Sequence, residues 1–244
     1  MKIRVEFARL VIGMMLTCCA VPAQTGNREL WVDDNRITLA KLQVIADRDS
    51  LDARFARWLD IAVADLKRLL PEFGVGLSDD AAFSILIGGE VPEALRTAAE
   101  KERYSDQTSV IQITDRAIHI TSPAGRGLAK AIYTFLDRIG VRWYTPGKWG
   151  EVLPDGRIEL STDAVVEGPD FMFRSFYWSR GGSYPPDMDA DYRQWYRRMR
   201  MDSDFGFGGH SYSEQIVQPK KYAASHPEYY SLIGGVRIIS GADV

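Results

Sequence analysis

The side chains able to do chemistry gather in the last third of the chain. Four carboxylates, Asp202, Asp204, Glu214 and Glu228, share that stretch with His210 and His226. Cleavage of a glycosidic bond needs two carboxyl groups, one protonated and one ionised, about 5–5.5 Å apart for retention or about 6.5–9.5 Å for inversion. Asp202 and Asp204 flank an expected helix-to-strand turn, where capping is the usual task of an aspartate, so no catalytic acid or base is assigned. Recognition chemistry is better supplied. Tyr177 and Trp178 end one expected strand and Arg180 follows it, and His210 and Tyr212 follow another, so these five are the candidate substrate-binding residues. Flat aromatic faces suit the CH faces of sugar rings, and arginine forks onto carboxylates such as that of a uronic acid. The competing structural reading has Tyr177 and Trp178 closing the end of the fold and Arg180 pairing with a nearby aspartate. Arg174, inside the first strand, is expected to point inward. His210, His226 and Glu228 are chemically adequate for zinc. Their spacing fits no helical His-x-x-x-His pattern, and His226-Pro227 reads as a turn before a strand, so no metal and no cofactor is expected.

The amino terminus narrows the setting. Met1 to Arg9 is short and basic, Leu10 to Ala20 is apolar, and Val21-Pro22-Ala23 places small residues before a cut at Gln24, the three-part pattern of a secretory signal over 1–23. Eleven apolar residues span about 16 Å as a helix, about half of a bilayer core, so no stable membrane span is expected. An exported protein, periplasmic or extracellular, is the expectation, with a lipid anchor at Cys18 or Cys19 as the alternative. Those are the only cysteines. A mature chain without them has no disulfide, no thiolate nucleophile and no cysteine-ligated zinc.

The 244 residues carry 30 basic and 33 acidic side chains, and removal of the first 23 residues leaves 27 against 32. Such a surface offers no footprint for a nucleic-acid backbone. Arg193, Arg197, Arg198 and Arg200 do crowd one stretch, but aspartates flank them, and a solvated helix face is the expectation.

These residues need elements to hold them. Glu29 to Asp47 suggests two short strands, and from Ser50 apolar residues at spacings of three and four predict a helix capped by Asp49 or Ser50 and closed by Pro71. Phe83 to Ile87 reads as a buried strand, Glu93 to Arg103 as a helix, and Val110 to Ile120 as an antiparallel hairpin split at Thr114-Asp115-Arg116. His119, in its second strand, is expected to face solvent. Gly125 and Gly127 precede a helix with Leu128, Ile132, Phe135, Leu136 and Ile139 on one face, and are read as tight-turn glycines. Short strands at 141–144 and 156–161 follow, and Gly168-Pro169 marks a boundary. Beyond it come a strand at 171–178, a Gly/Pro/Ser loop, a helix from Asp187 to Met201 and a strand at 203–207. The fold class expected is mixed α/β, with a mostly antiparallel sheet and helices over 24–169. Residues 170–244 are expected to be the first units of an incomplete (β/α)8 barrel, a fold that needs about 250 residues.

Two stretches resemble a known family. Ala131 to Gly147 with Gly150-Glu151-Val152-Leu153-Pro154 resembles the end of the domain that precedes the barrel in many carbohydrate-active enzymes. Gly209-His210-Ser211-Tyr212, Lys221-Tyr222 and His226-Pro227-Glu228-Tyr229-Tyr230-Ser231-Leu232 resemble a secreted bacterial family, domain of unknown function 4838. That family is similar to family 67 α-glucuronidases and family 20 β-hexosaminidases. The resemblance implies an exported glycoside-hydrolase-like parent acting on or binding carbohydrate, uronic-acid-containing glycans included. It also implies that the acid and base lie at later barrel strands, so that this chain alone is inactive. A non-catalytic extracellular carbohydrate-binding or cell-surface interaction module is the alternative.

Overall fold

A computed structural model describes residues 27–175, 186–202 and 217–239. Three short strands open it: β1 (Glu29–Val32), β2 (Asn35–Ile37) and β3 (Leu39–Val44). The sequence suggested two strands here, because a single residue, Thr38, separates β2 from β3 and leaves no turn signature.

Helix α1 (Ala53–Leu69) follows, capped by Asp52, whose side chain accepts from the Arg54 N–H at 2.8 Å. Neither Asp49 nor Ser50 is the cap: both lie in a separate 3-10 turn at Arg48–Ser50, itself capped by Asp47. Pro71 does not close the helix abruptly. The chain runs on through a 3-10 turn to Gly74, which takes the left-handed conformation with φ of 71°.

β4 (Gly76–Leu77), β5 (Ser84–Ile87), α2 (Glu93–Lys101), the hairpin β6 (Ser109–Ile113) and β7 (Ala117–Thr121), and α3 (Gly125–Arg138) complete the central unit. β8 (Arg142–Trp143), β9 (Glu151–Val152), β10 (Arg157–Leu160) and β11 (Ala164–Glu167) come next, then α4 (Pro186–Arg198), the short α5 (Pro219–Tyr222) and the hairpin β12 (Ser231–Ile233) and β13 (Val236–Ile238).

The central sheet has the order β11-β6-β7-β5-β3-β4. The mixed α/β class is as expected, but this sheet is less antiparallel than the sequence implied. β11–β6 and β6–β7 are antiparallel, whereas β7–β5, β5–β3 and β3–β4 are parallel. The cause is the helix α1 between β3 and β5, which returns the chain to the same end of the sheet, as a helical crossover does.

Alternation along the strands sorts side chains to two faces. Ile85, Ile87, Ile111, Ile113, Ile118 and Ile120 enter the main core with Leu59, Leu66 and Leu69 of α1 and Ile132, Phe135 and Leu136 of α3. Val110 turns to the other face and meets Val91 and Ala99 beneath α2. The result is α1 and α3, a sheet, and α2 in three layers. His119 does not simply face water: its Nε2 lies 2.7 Å from the Gly88 carbonyl, tying β7 to the turn after β5. Among the described residues no helix is long and apolar enough to cross a membrane.

Candidate functional site

Helix α3 positions the site because both of its sides are used. Its apolar stripe faces the core as the spacing requires, but Lys130, Tyr133 and Thr134 are buried as well. What covers them is the stretch 171–174, α4 and the residues after it.

Two carboxylates sit at that junction. Asp202 receives a two-pronged contact from Arg126, Nε to Oδ2 at 2.9 Å and Nη2 to Oδ1 at 2.8 Å, and a third donor from Lys130 Nζ at 2.5 Å. The Asp202 and Lys130 side chains are 2% and 5% exposed. Burial works to raise the Asp202 carboxyl, but its hydrogen bonds from Arg126 and Lys130 and their charges outweigh it and hold the group below the ordinary carboxylate value. Its backbone also pairs with Arg174 in an isolated antiparallel bridge. Asp202 is therefore the clamp that joins Arg174 and the residues just after α4 to α3, and not a turn cap. Arg174 spends its guanidinium on the carbonyls of Phe171 and Arg200 and on Gln107 Oε1.

The second carboxylate is Asp65 of α1. Arg198 of α4 grips it with Nε to Oδ2 at 2.9 Å and Nη2 to Oδ1 at 2.7 Å, while Tyr133 OH donates to Oδ2 at 3.1 Å and Gln194 Nε2 to Oδ1 at 3.2 Å. Burial again works to raise this carboxyl, and the Arg198 hydrogen bonds with the charges of Arg198 and Arg68 outweigh it. Glu151 of β9 extends the chain of charge. It accepts from Arg68 at 2.8 and 2.6 Å and from the Trp143 indole at 2.9 Å, and Arg198 Nη1 lies 3.8 Å away. Trp195 Nε1 donates to the Trp143 carbonyl at 2.9 Å, a further tie between α4 and β8.

Between α1 and α4 lies an open cavity of about 920 Å³, lined by Arg57, Arg68, Arg193, Arg197 and Arg198 around Asp65. The arginines of α4 are thus not all on a solvated face. Arg198 is 10% exposed at its side chain, and Arg197 is half-buried. Burial, reinforced by the charges of Arg57 and Arg193, lowers the Arg197 guanidinium from its ordinary value despite an opposing contribution from Tyr133. A smaller cavity of about 230 Å³ opens beside Gln107, Ser109, Lys130, Glu167, Arg174 and Arg200.

The expected recognition residues Tyr177, Trp178, Arg180, His210 and Tyr212 lie outside the described residues, as do Asp204 and Glu214. Glu228 is exposed and bonds His226, Nδ1 to Oε1 at 3.0 Å. The His226 ring stacks on Tyr229 at 4.7 Å, and Tyr222 lies 6.3 Å from His226 and 6.0 Å from Tyr229. The structure thus brings His226, Glu228 and Tyr229 together. Among the described residues no cluster of three or more metal-ligating side chains occurs.

Sequence reasoning missed Asp65, Glu151, Arg57 and Arg68. One signal was available: Asp65 interrupts the stripe Leu59, Ala62, Leu66, Leu69, and a carboxylate on a buried helix face demands a cation. It also passed over Trp149 and Tyr144, which are 88% and 68% exposed around the turn between β8 and β9.

No curated protein matches the chain. Among solved structures, similarity extends to a family GH115 4-O-methyl-α-glucuronidase, BtGH115A, with specificity for decorated arabinogalactans, at 15% identity and TM-score 0.40 over 66% of this chain and 24% of that one. It extends also to a GH138 enzyme targeting pectin rhamnogalacturonan II, at 13% identity and TM-score 0.32, over 55% and 16%. CpGH84D stands at 13% identity and TM-score 0.25, over 44% and 18%. The chain spans about a quarter or less of each of these. Residues 143–240, from β8 through the hairpin β12–β13, match the family model described as domain of unknown function (DUF4838), the family that the motifs between Gly209 and Leu232 resemble.

Proposed function

We propose that this chain is part of an exported, glycoside-hydrolase-like protein that acts on or binds glycans. In this reading residues 1–23 are its secretory signal, 24–169 its amino-terminal α/β domain and 170–244 the opening units of a (β/α)8 barrel. The observation that carries it is the family match over 143–240, which falls on the motifs whose resemblance to carbohydrate-active enzymes is read from the residues themselves. Trp149 supports it: a tryptophan 88% exposed presents a flat apolar face to water, a surface that suits the CH face of a sugar ring. Tyr177, Trp178, Arg180, His210 and Tyr212 are proposed as further contacts, with Arg180 set for the carboxylate of a uronic acid, as in an α-glucuronidase-like activity.

The chain by itself is proposed to bind rather than cleave. Asp65, Glu151 and Asp202 are each held ionised by arginine or lysine, which makes them poor general acids. This same observation favours the second reading, a non-catalytic carbohydrate-binding or cell-surface module. Calorimetric titration of the purified mature chain with neutral and acidic oligosaccharides tests the glycan reading. Binding weakened by Trp149→Ala, Trp178→Ala and His210→Ala is expected, and equal affinity in all four proteins would reject these contacts. Hydrolysis of any bound oligosaccharide by the chain alone would overturn the non-catalytic part.

A further inference from the structure

We propose that the groove between α1 and α4 binds the oxyanion groups of an acidic oligosaccharide, carboxylates or sulfates, through Arg57 and Arg197. The charged part of the groove's lining is five arginines and one aspartate, beside Gln194 and three apolar side chains. That aspartate is already consumed: Asp65 sits in the Arg198 fork with Tyr133 and Gln194 on its remaining lone pairs. Arg68 is likewise spent on Glu151, and Arg193 pairs with Asp189 one turn back on α4. Arg57 and Arg197 form no ion pair or side-chain hydrogen bond among the described residues, although they face each other's charge across the groove.

Two guanidinium groups held near each other, one of them half-buried, repel and lose hydration. A bound oxyanion reverses both effects, because each guanidinium presents a fork of N–H donors that matches carboxylate or sulfate geometry. The size of the cavity selects among anions. About 920 Å³ is near the upper end of the range of about 300–1,000 Å³ typical of organic-ligand sites, far more than one inorganic ion fills. Its lining among the described residues contains no aromatic ring on which a nucleobase could stack, and the chain's net charge is −3, so a nucleic acid fits poorly. The inference goes beyond the glycan reading by giving the ligand a charge and a place; it rests on that reading only for the ligand being a saccharide.

The test is calorimetric titration of the mature chain with tetragalacturonate, with neutral cellotetraose and with inorganic sulfate. The double variant Arg57→Gln/Arg197→Gln is compared with wild type and with Arg116→Gln, a highly exposed arginine outside the groove lining. Because the two groove side chains bond to no described residue, the variant should keep the wild-type melting temperature, and Arg57→Lys/Arg197→Lys supplies a second variant that keeps the charge and loses the fork. Tetragalacturonate affinity is expected to fall at least about tenfold in the glutamine variant, recover partly in the lysine variant and stay unchanged in Arg116→Gln. It should also fade as ionic strength rises towards about 1 M. Equal tetragalacturonate affinity in wild type and glutamine variant overturns the proposal, as does binding of sulfate alone. Cellotetraose bound and weakened by Trp149→Ala but not by the arginine variants, with no tetragalacturonate binding, would leave the glycan reading standing while overturning the groove.

Discussion

At the scale of single residues, the buried charges carry the sharpest consequences. Removing one partner of a buried ion pair leaves the other uncompensated, at a cost of about 3–5 kcal/mol. Asp202→Asn should therefore lower stability by about that amount, because Lys130 and Arg126 would face each other without their shared carboxylate; urea unfolding followed by circular dichroism reads the loss as a lower midpoint. Tyr133→Phe is milder. It removes one hydrogen bond to Asp65, whose other donors remain, so about 1 kcal/mol is expected in the same assay. The pH dependence follows from the three carboxylates. Asp65, Glu151 and Asp202 are all lowered in the folded chain, so the unfolded chain takes up protons first as the medium is acidified. Their contribution is complete above the unfolded values, about pH 4, and is lost as pH falls through the folded values beneath that. Thermal melts between neutral pH and about pH 3 should show a steep fall on the acid side, and Asp202→Asn should flatten part of it. A melting temperature indifferent to acid would contradict the assigned pairing.

At the scale of elements, local patterns revealed most of the elements and little of what lay between them. The stripes of α1 and α3, the hairpin β6–β7 and the strand β5 were legible because burial on one face imposes a spacing of three and four, or of two. β4 and β11 escaped notice, since two or four residues of strand carry no period of their own. The polar side of α3 was not legible for a different reason: spacing tells which face is apolar, not whether the other face meets water or a second layer. Lys130 meets Asp202 from beyond Pro169, and Thr134 meets Arg200 from there as well as Ser109 of β6. Gly125 and Gly127, expected in a tight turn ahead of the helix, instead lie within the first turn of α3 and neither has a positive φ; close packing is what asks for glycine at 127. At Gly127 a methyl group would overlap the Ser122 hydroxyl and come within 3.1 Å of the Thr108 carbonyl, so this turn of helix is pressed against its neighbours. Gly127→Ala should consequently destabilise α3 by about 1–3 kcal/mol, against the usual helix preference for alanine. Ser122→Gly in the same chain should recover part of the loss, and a melting temperature raised by the alanine alone would show that the contact yields.

At the scale of the whole molecule, what matters is which surfaces the fold closes and which it leaves open. The central sheet is covered by helices on both faces, and the junction with α4 is closed by Asp65 and Asp202. The recognition residues read from sequence lie outside the described residues; Asp65 and Glu151 were missed because their partner Arg198 reaches them from far along the chain, a long-range contact that no spacing encodes. The hairpin β12–β13 is built differently. Its register pairs Ile233 with Val236 and Ser231 with Ile238, so alternation sends Ile233, Val236 and Ile238 to one side. All three are exposed, Ile233 at 64%. Three β-branched side chains on one side of a two-stranded sheet form an apolar strip whose outer strand edges pair with no other strand among the described residues, the arrangement that promotes sheet-to-sheet association. The purified mature chain should therefore scatter light increasingly with concentration, and Ile233→Lys/Ile238→Lys should suppress that while leaving the melting temperature within about 1 °C, since neither side chain contributes to the core. Scattering unchanged by the two lysines would place the sticky surface elsewhere, and a large drop in melting temperature would mean that the strip is covered in solution.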